Sequence, residues 1–441
     1  MTSVALRWRS QIYLALLKLK SNGLVNAGLW VGLSNIINIA AAFVIQKVIA
    51  VQVGPAGVAI IGQYQNFLGI TTSLANGGIN SGIVKYVAEY RRDTDRNALL
   101  ISNATRVTLF CSTILVAVIV LFAEQLSLYL FQTDAYAFIL RLLGLTITLF
   151  ALNTLLVSVL NGFGEIRKYA GSAIARSVVG IVLTVGLSLV WGLTGALVAL
   201  TIVQSLVFFV TLFFVVRSPW FTSRFFVQRF DAGITRKLLA FSLMALTSAI
   251  LVPLVQILVR NHLIATLSLE DAGYWDAMWK ISQGYLGIIT GTLGVYYLPK
   301  LSSLQAVADV RREIWNGYKL IVPALLIAFL MVYLLRTPIV YLLYSRRFTP
   351  TMGLFLPMLI GDFFKILSWL VAYLMLAKAK TRMFIATQVV FSAITYSLSV
   401  VMINGWGLQG VAWAHAIKYA VYLFVVSYLL REYLFERYEA R

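Results

Sequence analysis

Two short stretches place ionisable groups inside strongly apolar sequence. "GDFFK" sets Asp362 and Lys365 at i and i+3, and "HAIK" sets His415 and Lys418 at the same spacing. On a helix that spacing puts both members on one face. A carboxylate, an imidazole and two ammonium groups can carry a proton, hold a cation or bind a phosphate-like anion. A second set, Asp276, Lys280, Gln283, Gly287, Thr290 and Gly294, recurs every three or four residues and falls on one helical face. Gln63, Asn66, Ser73, Gly77 and Asn80 form a similar stripe earlier in the chain. Such stripes either line a polar pathway or pack against other helices. Metal chemistry is not expected. Cys111 is the only cysteine, and His262 and His415 lie far apart without H-x-x-x-H spacing. No cofactor is expected either.

The elements that must position these groups are membrane-spanning helices. The chain has 441 residues, is 60% hydrophobic and 12% charged, and has a mean hydropathy of +0.87. Soluble proteins carry about twice that charged fraction. Apolar runs of 18 or more residues recur along the whole length, long enough to cross a bilayer. They predict twelve helices, at 26–52, 57–82, 98–123, 136–160, 169–190, 195–216, 238–263, 272–298, 315–335, 351–376, 382–403 and 408–430. The longest polar connection, 217–237, is too short to fold alone, which excludes a multidomain soluble enzyme. Residues 1–23 form a basic segment without a signal-peptide pattern, read as an interfacial helix or a leader. Most of the 36 lysines and arginines fall in that segment, in the even-numbered connections and at the C-terminus. Both termini are therefore expected in the cytoplasm. The net charge of +20 is largely this topology signal and not a nucleic-acid patch.

The turn "WGLTG" at 191–195 returns as "WGLQG" at 406–410. Ala56-Gly57 returns as Ala272-Gly273, Lys85 as Lys300 and Arg167 as Arg382, all at offsets of 215 or 216 residues. The chain thus reads as two six-helix lobes, 24–217 and 238–431, joined by a cytoplasmic linker, 218–237, and closed by a tail, 432–441. An even number of spans starts both lobes on the same side, so the repeat is parallel. The pathway is expected between the lobes. The alternative is a duplication that left only a packing scaffold.

Eight cations lie within predicted spans: Lys47, Arg106, Arg141, Arg176, Arg260, Lys280, Lys365 and Lys418. The anions there are Asp276 and Asp362. A charge at a helix centre costs about 2.5–3.5 kcal/mol on insertion scales. Lys47, Arg106, Arg141, Arg176 and Arg260 lie near enough to helix ends to snorkel. Lys365 and Lys418 do not. Either Asp362 and Lys365 neutralise each other, which leaves Lys418 unexplained, or these groups face a watery cavity. A cavity of this sign attracts an anionic solute. Pro253 and Pro357 interrupt two spans, as hinges or as static kinks.

The chain resembles the Wzx-type flippases of lipid-linked oligosaccharides, in the multidrug/oligosaccharidyl-lipid/polysaccharide exporter superfamily. The resemblance covers nearly all of both halves and is clearest in "AVQVGPAGVAIIGQYQNF", "GGINSGIVKYVAEY", "FSLMALTSAILVPLVQILVRNHL", "AGYWDAMWKISQGYLGIITGTLGVYYLPKLS" and "GDFFKILSWLVAYLMLAKAKTRMF". It implies an all-α, V-shaped alternating-access transporter of two six-helix bundles in the bacterial inner membrane. The implied substrate is an undecaprenyl-pyrophosphate-linked oligosaccharide of O-antigen or enterobacterial common antigen type. Its implied route is a cationic cavity, for which this chain offers Lys280, Lys365 and Lys418, then Arg260, Lys47 and Arg141, with Gln63, Asn66 and Gln283 as polar lining. Coupling to protons or sodium is implied, with Asp276, Asp362 and His415 as candidates. A monomer is expected, serving a polysaccharide polymerase and chain-length proteins and making no bond itself. Two rivals remain. A cation-coupled multidrug exporter should show the opposite charge balance. A membrane glycan polymerase or ligase needs large periplasmic loops, and these connections are short, with Arg336, Arg346 and Arg347 around "LLYSRRFTP" as their only basic residues.

Overall fold

The structure, a computed structural model, describes residues 23–225 and 228–435. The basic segment up to residue 22 and the last six residues of the tail lie outside them. Every regular element among the described residues is helical. The first half runs α1 (Gly23–Ala75), α2 (Asn80–Glu89), α3 (Thr94–Leu121), α4 (Ala123–Phe131), α5 (Ala137–Gly162) and α6 (Ile166–Val216). The second runs α7 (Ala232–Thr266), α8 (Leu269–Thr292), α9 (Leu298–Ser303), α10 (Val307–Leu334), α11 (Arg336–Leu343), α12 (Phe355–Ala377) and α13 (Thr381–Leu429), and α14 (Arg431–Leu434) closes the chain. The order of long and short helices therefore runs twice, with α7 and α8 standing where the first half has the two legs of α1. The short helices α2, α4, α9 and α11 were hidden in the sequence inside or beside longer apolar runs.

Helices α1, α6 and α13 have 53, 51 and 49 residues. A straight helix of that length would reach about 75 Å, against a hydrocarbon core about 30 Å thick. Each is instead broken at one glycine in the left-handed region: Gly54 at φ 66°, Gly192 at φ 56° and Gly407 at φ 59°. Among the described residues, eight helices are long and apolar enough to cross a membrane. Three of them are these two-legged ones, and α8, whose charged face lowers its hydropathy, completes twelve spans. Large apolar side chains cover the outer faces. Leu121, Leu145, Leu320 and Phe424 are each more than 70% exposed, as a lipid-facing surface requires.

The repeated turn now has a physical account. Its first glycine supplies the left-handed conformation. Its second admits the preceding helix: a Cβ on Gly195 would lie 1.9 Å from the Leu187 carbonyl oxygen, and one on Gly410 2.0 Å from that of Met402. A Cβ on Gly192 would meet nothing within 4 Å. Gly192→Ala is therefore expected to cost only backbone strain, about 1–2 kcal/mol. Gly195→Ala and Gly410→Ala must push two backbone segments apart and should lower the melting temperature of the purified protein further, measured side by side in one detergent.

By packing, the described chain divides into two compact units, one of residues 23–45, 74–123 and 138–242, the other of 46–73, 124–137 and 243–435. The segment read as a polar linker is built into the first unit. Trp220 stacks on Phe163 with centroids 4.0 Å apart and donates from its indole to Glu165 Oε1 at 3.0 Å. Phe225 is buried with Leu238, and the Asp231 amide donates to Asn103 Oδ1 at 2.9 Å. The aromatic residues, not the charges, decide this segment's fate. Pro253 lies inside α7 as expected. Pro357 is the third residue of α12, preceded by a 3-10 segment at Arg346–Leu354. There its missing N–H has no intrahelical acceptor to lose, so it begins a helix and does not interrupt one.

Candidate functional site

The second unit encloses a cavity of about 480 Å³. Helices α7, α8, α12 and α13 supply its wall. Lys365, His415, Lys418 and Gln283 are among the lining residues, so "GDFFK" and "HAIK" do meet in one place. Among the described residues, no aspartate or glutamate lines it. Trp275 Nε1 and Gln256 Oε1 are buried lining atoms without a protein hydrogen-bond partner, one a donor and one an acceptor.

Asp362 and Lys365 share a face of α12 but take different partners. Lys365 is 3% exposed, and its ammonium lies 5.4, 5.1 and 5.5 Å from the ring centroids of Trp279, Trp369 and Tyr419. Three π faces offset part of the cost of taking this cation out of water. Lys418 lies 3.5 Å from the Tyr419 ring centroid. Asp362 is fully buried. Its Oδ2 accepts from Ser282 Oγ at 2.6 Å and from the Tyr285 hydroxyl, and its Oδ1 lies 3.0 Å from His415 Nε2. Gly361 makes room for that contact, because a Cβ there would sit 2.4 Å from His415 Cδ2. In place of the alternative of a self-neutralising Asp362–Lys365 pair stand a carboxylate bound to α8 and α13 and a lysine held by rings.

The sequence reading did not single out Trp279, Trp369, Tyr419, Ser282 or Tyr285. Part of the signal was legible. Trp369 stands four residues after Lys365 and Tyr419 four after His415, the spacing of one helix face.

The other candidate cations have different surroundings. Arg260 is 1% exposed and spans two acceptors, Gln63 Oε1 at 2.7 Å and Asp276 Oδ1 at 2.6 Å. Lys280 lies 3.0 Å from Asp276 Oδ2. Gln63 turns its amide nitrogen to Asn261 Oδ1 at 2.7 Å. The polar stripes of α1 and α8 thus meet in an ion-paired cluster whose Arg260, Gln63 and Asp276 are buried, and these five residues do not line the cavity. Lys47 donates to the carbonyls of Tyr341, at 2.7 Å, and Tyr344, capping the C-terminal end of α11 where carbonyls lack helical partners. Arg141 is exposed on α5 in the first unit, and Asn66 is half-buried on α1.

A helical membrane chain whose six-span order runs twice, and which holds a lysine-lined cavity among its helices, has the build of a membrane transporter. Comparison with known proteins narrows this. Residues 24–305 match the family described as polysaccharide biosynthesis protein. The lipid III flippases of Escherichia coli (strain K12) and Shigella flexneri are each 31% identical over 399 residues, 90% of this chain and 96% of theirs. The chain belongs to this polysaccharide biosynthesis family. Solved structures share its fold at low identity. One is a multidrug resistance MATE family transporter of the MOP superfamily in an inward-facing conformation, 15% identical, covering 89% of this chain and 93% of that one, with a TM-score of 0.74. Another is the lipid II flippase MurJ in an inward closed conformation, 14% identical, covering 92% and 87%, with a TM-score of 0.70. The twelve-helix fold is therefore shared with these two solved transporters.

Proposed function

We propose that this chain is a flippase that moves an undecaprenyl-pyrophosphate-linked oligosaccharide from the cytoplasmic to the periplasmic leaflet of the bacterial inner membrane, for surface polysaccharide synthesis. The observation that carries the reading is the cavity. It pairs two lysines with aromatic faces and has no aspartate or glutamate among its described lining residues. Lysine ammonium groups suit a pyrophosphate. Indole and phenol faces suit the apolar faces of sugar rings. The polyprenyl tail would stay in lipid.

The two lobes, 24–217 and 238–431, would expose this site alternately to each side, with both termini cytoplasmic and Pro253 available as a hinge. No bond forms or breaks, so the protein acts as a transporter and not as an enzyme. A proton or sodium gradient would drive the cycle, and the product would pass to a polymerase with its chain-length proteins. One copy of the chain suffices. A cation-coupled drug exporter would need an anionic wall, which this cavity does not offer.

Mass spectrometry of polyprenyl-linked glycans, in cells with and without the gene, tests the reading. A lipid-linked oligosaccharide should accumulate on deletion while surface polymer disappears, and its mass would identify the repeat unit. If neither changes, the substrate assignment fails and sensitivity to cationic dyes is the next measurement.

A further inference from the structure

We propose that Lys365 is shared between two sites: its ammonium fills an aromatic cage in this structure, and a pyrophosphate in the cavity draws it out and leaves the cage to the first sugar ring. This deepens the flippase reading and rests on it for the sugar, though not for the pyrophosphate. The cage is built by three helices. Trp279 of α8, Trp369 of α12 and Tyr419 of α13 hold their ring centroids 5.4, 5.1 and 5.5 Å from Lys365 Nζ. All three rings line the cavity.

An ammonium carries three N–H donors. Among the described residues, those of Lys365 form no hydrogen bond and no ion pair, and Asp362 is turned to Ser282, Tyr285 and His415. The π faces attract the charge but leave the donors without oxygen acceptors from the protein. An anion rich in oxygen satisfies charge and donors together. Pyrophosphate fits the spacing. The Lys418 ammonium lies 3.5 Å from the centroid of the same Tyr419 ring, so the two ammonium groups are no further apart than 3.5 and 5.5 Å taken together. Each of two phosphates can take one lysine. Lys418 is half-buried beside one ring and stands ready, whereas Lys365 is enclosed by three and must move. Its flexible four-carbon stem permits that with α12 held in place.

The movement links two recognitions. While Lys365 occupies the cage, a sugar cannot stack on its rings. Once an anion holds the lysine, Trp279 and Trp369 offer indole faces to a sugar ring. A free saccharide therefore meets a filled cage. A lipid pyrophosphate without sugar uncovers rings that nothing covers again. Only a molecule with both parts gains both contacts, so the two sites are positively coupled through one side chain. The cavity thereby selects the glycan-loaded carrier over the bare one. A lysine that only packs among rings would stay there whatever the cavity holds.

NMR of the full chain in detergent, isotope-labelled at lysine Cε, tests this. Ring currents from three faces should shift the Lys365 Cε–H signal upfield, and Lys365→Arg assigns it. Inorganic pyrophosphate should return that signal saturably to the ordinary lysine position, and Lys418→Gln should raise the concentration required. Trp369→Leu opens the cage and should tighten pyrophosphate binding by about fivefold or more, the opposite of what damage to a static site would do. Geranyl pyrophosphate carrying one glucose on its outer phosphate should bind about fivefold or more tighter than geranyl pyrophosphate, an advantage that Trp369→Leu should remove. The proposal is overturned if the Lys365 signal lies at the ordinary position in the protein alone, if pyrophosphate leaves it in place, if sodium chloride at equal ionic strength moves it as far, or if the glucose adds nothing. A signal that moves, with no lipid-linked glycan accumulating on deletion, keeps the lysine exchange and removes the assigned cargo. Accumulation with an unmoved signal keeps the cargo and removes the exchange.

Discussion

Lys365→Glu and Lys418→Glu should each abolish surface glycan while the protein still inserts in the membrane. Lys365 is the more severe. Its ammonium is enclosed by the rings of Trp279, Trp369 and Tyr419. Those faces carry the negative end of the ring quadrupole and would repel a carboxylate. The new anion would also stand one helical turn from the buried carboxylate of Asp362, which is hydrogen-bonded to Ser282, Tyr285 and His415. Lys418 is half-buried over Tyr419, so its reversal alters the field with less damage to packing. Lys365→Gln separates charge from shape. Loss of one favourable contact of about 1.4 kcal/mol lowers the transport rate roughly tenfold, so a partial defect is expected. Polysaccharide gels read against the amount of protein in the membrane fraction decide the matter. Unchanged glycan in both glutamate variants would remove the cavity from the substrate route.

Arg260→Met should be the most destabilising single change outside the cavity, by about 3–5 kcal/mol. The guanidinium holds Gln63 and Asp276 at once, and neither acceptor reaches water. Its removal strands a buried carboxylate with Lys280 alone and leaves a glutamine oxygen unpaired. Arg260→Lys should not rescue, because one ammonium lacks the planar fork that meets two acceptors at 2.6 and 2.7 Å. Arg260→Met with Asp276→Leu should recover much of the loss, since removing both charges leaves neither uncompensated. Gly62→Ala tests the same seam from the other side, because its Cβ would stand 2.0 Å from Asp276 Oδ1. Thermal unfolding in detergent orders these variants, and an Arg260→Lys protein as stable as the wild type would refute the two-acceptor account.

Arg260 also shows how the sequence reading could miss. Near a helix end it reads as a snorkelling residue or as one cation of an open route. Its true environment depends on α1 running past α7 and α8 with Gly62 at the crossing. The same holds for Lys47, which reads as a cation in a span and in fact closes the carbonyl end of α11. Trp220 and Phe225 in the apparent linker were equally readable as residue types, but not as a stack on Phe163.

What the sequence alone determined is whatever one helix decides for itself. The spans follow from hydropathy, because a backbone crossing lipid must satisfy its own hydrogen bonds within each helix. The turns follow from Gly54, Gly192 and Gly407, because glycine alone enters the left-handed region at little cost. The repeat follows from the same turn recurring at 191 and 406. Only the tertiary structure decided partners. Spacing puts Asp362 beside Lys365 on α12, but their own helix keeps that face one-sided. Gly361 lets α13 come close enough for His415 to take the carboxylate, while Trp279 from α8 and Tyr419 from α13 close over the lysine. A helix fixes which groups face the same way, and the packing of its neighbours fixes what they meet.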